Sequence, residues 1–323
     1  MTYRYVFGPV RSSRLGVSLG LDLLGRAVCS MDCLYCEVGP TRELTRTRAP
    51  YVPAAELLAE LARWKDEHAG AHLDYVTLGG MGEPCLNTGL AEVIAGAKRL
   101  FPDTPVAVLT NATLLADASV RAELAQADAV LPSLDSLLPE EFARVNRPAP
   151  GLTPEAVAEG ILAFARTYPG KIFLEVLLLS GVNDSEENLS RLTAFVARLR
   201  PARVDVTTMT RPGAYPAAKA ADPAILARFR EALGAALASR AVREPAPEAT
   251  AAPGAATAPL TPEEIREIVL NSIARRPQTA ADLRAALARP PEEVAKALAE
   301  LEADGRIVAV DGFYRPLRRA RND

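Results

Sequence analysis

The chain has 323 residues, a formal net charge of −3 and 49% hydrophobic residues. That size and composition allow a sizeable core and one large domain plus a small one, and the charge argues against a protein that lives mainly on nucleic-acid phosphates. The only two histidines, His68 and His72, lie four apart in one helical stretch, so His-based metal or triad chemistry has little to build on.

From about residue 17 to 210, strand-like and helix-like stretches alternate. The strands expected are 17–24, 75–79, 105–110, 129–135, 171–179 and 203–209. Between them, Leu57, Leu58, Leu61 and Trp64 share one helical face, as do Val93, Ile94, Ala97 and Leu100, and then Leu189, Leu192, Phe195, Val196 and Leu199. Ile225, Leu226, Phe229, Leu233 and Leu237 predict one more packed helix. Six βα units in series imply a parallel sheet with outer helices, and the fold class expected is α/β, a partial (βα)6 TIM-like barrel. Residues 1–240 form this unit. An Ala/Pro-rich linker follows over 241–260. Residues 261–323 read as a small winged-helix-like α+β unit: Thr261 and Thr279 begin two helices, Val294, Leu298 and Leu301 mark a third, and the pair Asp311-Gly312 turns a hairpin. No apolar run approaches the roughly 20 residues of a membrane span, and the first residues lack the apolar core of a secretion signal. A cytoplasmic protein with no membrane partner is expected.

Three of the four cysteines crowd into eight residues, Cys29-Ser-Met-Asp-Cys33-Leu-Tyr-Cys36, and the fourth is Cys85. In a reducing compartment clustered thiolates are metal ligands more often than disulfides. Three thiolates on one loop can bind three irons of a [4Fe–4S] cube, leaving the fourth iron open to another ligand. Zinc or inert core thiols are the alternatives, and zinc would need a fourth donor. The loop follows the first predicted strand at its C-terminal end, where α/β barrels build active sites.

This motif, with Tyr35 before its last cysteine, resembles that of the radical S-adenosylmethionine (SAM) superfamily. Gly79-Gly-Met-Gly-Glu-Pro84, after the second predicted strand, is similar to that family's glycine-rich GGEP motif. More narrowly, residues 7–22 and 35–39 resemble bacterial proteins grouped with wyosine-tRNA synthase. The archaeal-type synthases carry cysteines for a second cluster, which Cys85 alone does not supply. The resemblance implies that Cys29, Cys33 and Cys36 hold a [4Fe–4S] cluster and that SAM binds its open iron. Tyr35, Gly80, Gly82, Glu83, Asn111, Ser133, Asp135 and Glu175 are the candidate cofactor-binding residues. It implies an oxidoreductase-like enzyme that cleaves SAM reductively and forms a 5′-deoxyadenosyl radical for hydrogen abstraction from an unidentified, RNA-related or other substrate, with a flavodoxin or ferredoxin as external one-electron donor. An activase for a glycyl-radical partner and a non-catalytic iron–sulfur sensor are the alternatives.

Period-two alternation puts Leu131, Ser133 and Asp135 on one strand face and Val130 and Leu134 on the other. With Asp22, Glu175 and Asp205 on neighbouring strands, this suggests a sheet curved around a polar lumen, since buried carboxylates need partners. Asp184 is expected to cap the helix after Gly181-Val-Asn183, where the Val182 backbone is a candidate adenine contact. Residues 1–50 carry seven Arg against four Asp and Glu. Arg42, Arg46 and Arg48 are either a solvated surface or a patch for an anionic substrate, RNA included. In the C-terminal unit, Glu292, Glu293, Glu300 and Glu302 oppose Lys296 alone on the presumed recognition helix, which disfavours DNA-groove binding. Arg315, Arg318, Arg319 and Arg321 form a basic tail.

Overall fold

The computed structural model describes residues 3–12, 14–238, 261–287 and 290–317. The expected linker and the tail arginines Arg318, Arg319 and Arg321 lie outside the described residues. In chain order the elements begin β1 (Val6–Ser12), β2 (Gly16–Asp22), β3 (Val28–Cys29), β4 (Glu43–Leu44), α1 (Ala54–Glu67), β5 (Tyr75–Gly79) and α2 (Leu90–Leu100). They continue with β6 (Val106–Thr110), α3 (Ala118–Leu124), β7 (Ala129–Pro132), α4 (Pro139–Val145), α5 (Pro154–Ala165), β8 (Lys171–Leu178), α6 (Glu186–Leu199), β9 (Arg203–Thr208) and α7 (Pro223–Ala238). The C-terminal elements are α8 (Pro262–Arg275), α9 (Ala280–Leu287), α10 (Pro291–Ala303), β10 (Ile307–Val310) and β11 (Phe313–Pro316).

The main sheet has the order β1-β2-β5-β6-β7-β8-β9. All pairs from β2 to β9 are parallel, which the intervening helices require, and β1 is antiparallel to β2. All six expected strands are present. β1 was not expected, because Gly8 and Pro9 interrupt its pattern. Proline is tolerated on an edge strand or a bulge, and β1 is an edge strand whose register shifts between Phe7 and Val10. The strand expected over 129–135 stops at Pro132, which has no N–H for the ladder. The same register resumes one residue later as the Ser133–Glu175 bridge.

Side-chain alternation sorts the two faces of the sheet. Leu19, Leu21, Val76, Leu78, Val106, Val108, Val130 and Leu174 pack against the helices with Leu57, Leu61, Trp64, Ile94, Phe195 and Phe229 in one core. On the inner face Leu15, Tyr75, Ala107, Leu109, Ala129, Leu131 and Phe173 form a separate apolar cluster. That cluster fills the inner face toward the N-terminal ends of the strands, and polar residues occupy it toward the C-terminal ends, where Asp22, Asn111 and Asp135 sit. The mixed α/β architecture is that of a partial TIM-like barrel, with β1 and β9 at the ends of the strand order.

The C-terminal helices and hairpin enclose their own core of Ile265, Val269, Ile273, Leu283, Val294, Leu298, Leu301 and Ile307. Thr261 caps α8 in a reciprocal capping box with Glu264. Asp311 and Gly312 both take positive φ, as a two-residue hairpin turn requires. No helix among the described residues is long and apolar enough to cross a membrane.

Candidate active site

The cysteine loop is held against the glycine-rich loop by backbone contact. After β2 the chain crosses to Val28, which bridges in parallel to Gly82. Glu83 N donates to Val28 O at 3.1 Å. A Cβ on Gly82 would overlap the Val28 carbonyl oxygen and lie 2.7 Å from its carbon, so only glycine permits this approach. Gly80, at φ +105, also passes close to Asp22: a Cβ there would meet the Asp22 carboxyl carbon at 2.8 Å. Asp22 Oδ1 accepts from the backbone N–H of Leu24, Gly25 and Met81, which fastens the glycine-rich loop to the end of β2.

Beyond the cysteines, Ala49 N donates to Leu86 O and Thr88 N to Ala49 O. Arg48 reinforces this seam. Its Nε donates to Cys85 O at 2.9 Å, one NH2 group to Asn87 O at 3.2 Å, and its guanidinium pairs with Glu123 at 2.5 Å. Arg48 is therefore a staple between segments, which removes it from the expected anion-binding patch. Arg42 and Arg46 remain exposed. Arg48→Ala leaves two carbonyls and a half-buried carboxylate without their donor. The expected cost is about 2 kcal/mol, read as a lower urea midpoint, with only part of it recovered by Arg48→Lys, which lacks the planar fork.

The three thiols occupy a single loop whose turn is closed by Cys36 N donating to Cys33 O. Burial pushes all three pKa values up, Cys29 to about 12; Cys29 is raised further by Glu83 and Cys36, and Cys33 by Cys29 and Cys36. Among the described residues no group of three or more His, Cys, Asp or Glu is gathered to hold a metal ion. The chemistry of the donor set nonetheless suits one. Burial, Glu83, Asp135 and the neighbouring thiols all hold the protons on, and a bound metal centre would supply the positive charge that draws them off. Asn111 donates to Cys29 Sγ at 3.4 Å and Asn146 to Cys33 Sγ at 3.5 Å. Such donors favour sulfur in its anionic, ligating form.

Asp135 organises the opposite wall. It is 1% exposed, and burial raises its pKa, while the hydrogen bond from Tyr35, that from the Leu177 backbone and that from Asn146 lower it. Tyr35 Oη and Asn146 Nδ2 both donate to its Oδ2 at 2.6 Å, and Leu177 N donates to Oδ1 at 2.8 Å. Tyr35, Asp135, Asn146 and Cys33 thus form one connected web. Asn146 carries no sequence signal beyond being an asparagine at the end of α4. Asn183 lies beneath the web, donating to Asp135 O and Leu177 O.

The remaining candidates fall into two groups. Ser133 is half-buried beside Glu175, with no hydrogen bond to its hydroxyl among the described residues. Asn111 bridges Cys29, Ser30 and Thr113. Glu83, by contrast, is 2% exposed, and both its oxygens are committed inside the chain, to Cys85 N, Thr110 Oγ1 and Asn111 N. Its three hydrogen bonds fix the loop to the end of β6. Glu175 is neutralised across the lumen by an ion pair with Arg14, and Asp205 pairs with Arg203 at 2.8 Å. Cys85 is fully buried, 3.5 Å from Thr110 Oγ1, and burial lifts its pKa well above the usual thiol range. The α6 N-cap is Ser185, whose hydroxyl accepts from Asn188 N, and not Asp184, whose carboxylate accepts from Gly181 N.

Residues 27–193 match the radical SAM superfamily profile. The chain is similar to a UPF0026 protein of Synechocystis sp., at 38% identity over 65% of this chain and 77% of that one. It is also similar to a UPF0026 protein of Methanocaldococcus jannaschii, at 30% identity over 71% and 72%. Among solved structures it shares the fold of Streptococcus suis SuiB bound to S-adenosylmethionine, with TM-score 0.51 and 18% identity over 68% of this chain, although it spans only 48% of SuiB. It shares the fold of TYW1 with a lysine-pyruvate adduct bound, with TM-score 0.50 and 16% identity over 68% of this chain and 73% of that one. The chain belongs to the radical SAM superfamily, and is an enzyme that works with a [4Fe–4S] cluster and S-adenosylmethionine.

Proposed function

We propose that the enzyme cleaves SAM reductively and uses the resulting radical to abstract hydrogen from a substrate, with Cys29, Cys33 and Cys36 as the protein ligands of the cluster. The observation that carries this reading is the seam that presses the cysteine loop onto the glycine-rich loop at Val28 and Gly82. When bound, the cluster supplies the electron that breaks a carbon–sulfur bond of SAM, chemistry that belongs to the cofactor. The chain's own part is to place and exclude. Asn111 and Asn146 donate to two of the sulfurs. Asp22 holds Met81 N, and so the backbone edge of the loop that would receive the methionine moiety. Ser133 offers an open hydroxyl to the nucleoside side, while Asp135 fixes Tyr35.

An external one-electron donor, a flavodoxin or ferredoxin, would reduce the cluster, as radical SAM enzymes generally need such a donor. Residues 1–240 are proposed as the catalytic unit, with 261–323 appended through the segment 241–260. The test is anaerobic reconstitution of the full chain with iron and sulfide, then SAM and dithionite, with 5′-deoxyadenosine followed by mass spectrometry. The nucleoside is expected from the intact protein and not from the Cys29/Cys33/Cys36→Ala variant. Equal yields from both would contradict the assignment.

A further inference from the structure

The C-terminal elements touch the barrel unit in two places, at β1 and at the loop that follows β9. At the β1 edge the Arg275 guanidinium stacks 4.8 Å from the Phe7 ring and donates to Arg4 O at 2.7 Å. At the β9 edge, Arg211 from the following loop donates to Pro277 O and to Asp282, both at 2.9 Å. Its Nε also lies 3.9 Å from Glu37, the residue after Cys36. The C-terminal elements are therefore latched to the cysteine loop through Arg211.

Arg276 sits between these two anchor points. The charges that act on it are those of Arg211, Glu37, Asp282 and Arg14, drawn from four separate parts of the chain. Asp282 is committed to Arg211, and Arg14 to Glu175. The Arg276 side chain, half-buried, has no hydrogen bond or ion pair among the described residues. Burial and the like charges of Arg211 and Arg14 outweigh Glu37 and Asp282 and lower its pKa, yet a guanidinium stays protonated. A half-buried guanidinium near two other arginines is stabilised by an oxyanion that accepts two parallel N–H bonds.

We propose that Arg276, held between the β1 contact of Arg275 and the Arg211 contact of Pro277, binds an anionic group of the substrate, a phosphate or a carboxylate. This rests on the radical SAM reading for what happens to that substrate, but the anion site is tested without it. Calorimetric titration of the full chain, without SAM, with inorganic pyrophosphate and separately with succinate reads the site directly. Saturable binding is expected, weakened about tenfold or more in Arg276→Gln and clearly weakened in Arg276→Lys, which keeps the charge and loses the fork. Thermal melts establish that each variant is folded, and the Lys variant decides the matter if the Gln variant is not. Tighter binding of pyrophosphate assigns a phosphate, and tighter binding of succinate a carboxylate. No saturable binding, equal binding by wild type and the Arg276 variants, or binding lost in Arg42→Gln instead would overturn the proposal. Absence of 5′-deoxyadenosine from the wild-type protein, with Arg276-dependent anion binding intact, would contradict the radical chemistry alone.

Discussion

Gly82→Ala is expected to weaken SAM binding at least about tenfold and to destabilise the fold by about 1–3 kcal/mol. A Cβ at this position runs into the backbone of Val28, which has no rotamer by which to move aside. Relief requires separating the Gly82–Val28 bridge, and Val28 is covalently next to Cys29. One methyl group therefore displaces the glycine-rich loop and the first cysteine together. Equilibrium binding of SAM to the reconstituted protein reads the first effect and urea unfolding the second. Gly234→Ala is the matched control. Gly234 lies exposed in α7, and a methyl group added there would meet nothing within 4 Å, so alanine should stabilise that helix by about 0.5–1 kcal/mol. Near-wild-type SAM affinity in Gly82→Ala would show that the seam does not position the cofactor.

Cys33→Ala is the second change with a large expected effect. Cys33 is the middle thiol, raised by both of its fellows and in contact with Asn146. Its loss leaves two protein sulfurs, too few to hold a cube that also presents an open iron to SAM. After anaerobic reconstitution the visible absorption of the cluster should be absent or reduced to a small remnant, and 5′-deoxyadenosine should fall to background. The apo fold should survive, because the substitution removes one sulfur from a loop still held by Asp32 N, Leu34 N and Thr45 N. Wild-type iron content in this variant would remove Cys33 from the ligand set.

The features legible in the sequence were those with local signatures. The six parallel strands and the helices α1, α2, α6 and α7 follow from periodicity, the cysteine loop from spacing, and the hairpin turn from Asp311-Gly312. The polar inner face was legible too, since alternation alone separates Ser133 and Asp135 from Val130 and Leu134. What escaped depends on partners far apart in the chain. Glu175 was a candidate cofactor contact, and its partner, Arg14, lies 161 residues away in the chain. Arg48 looked like part of a basic run, yet it belongs to Glu123. Asn146 is ordinary in sequence and central in space, because α4 ends where the cysteine loop passes. The edge strand β1 was hidden by Gly8 and Pro9, residues an interior strand excludes and an edge accepts.

The most direct test of the central claim, a three-cysteine cluster whose remaining iron receives SAM, is electron paramagnetic resonance of the reduced, reconstituted protein before and after SAM is added. A [4Fe–4S] signal whose g-values shift on addition of SAM is the predicted result, since a ligand on the open iron changes its electronic surroundings. A cluster signal that SAM leaves unchanged, or no cluster signal at all, would contradict it.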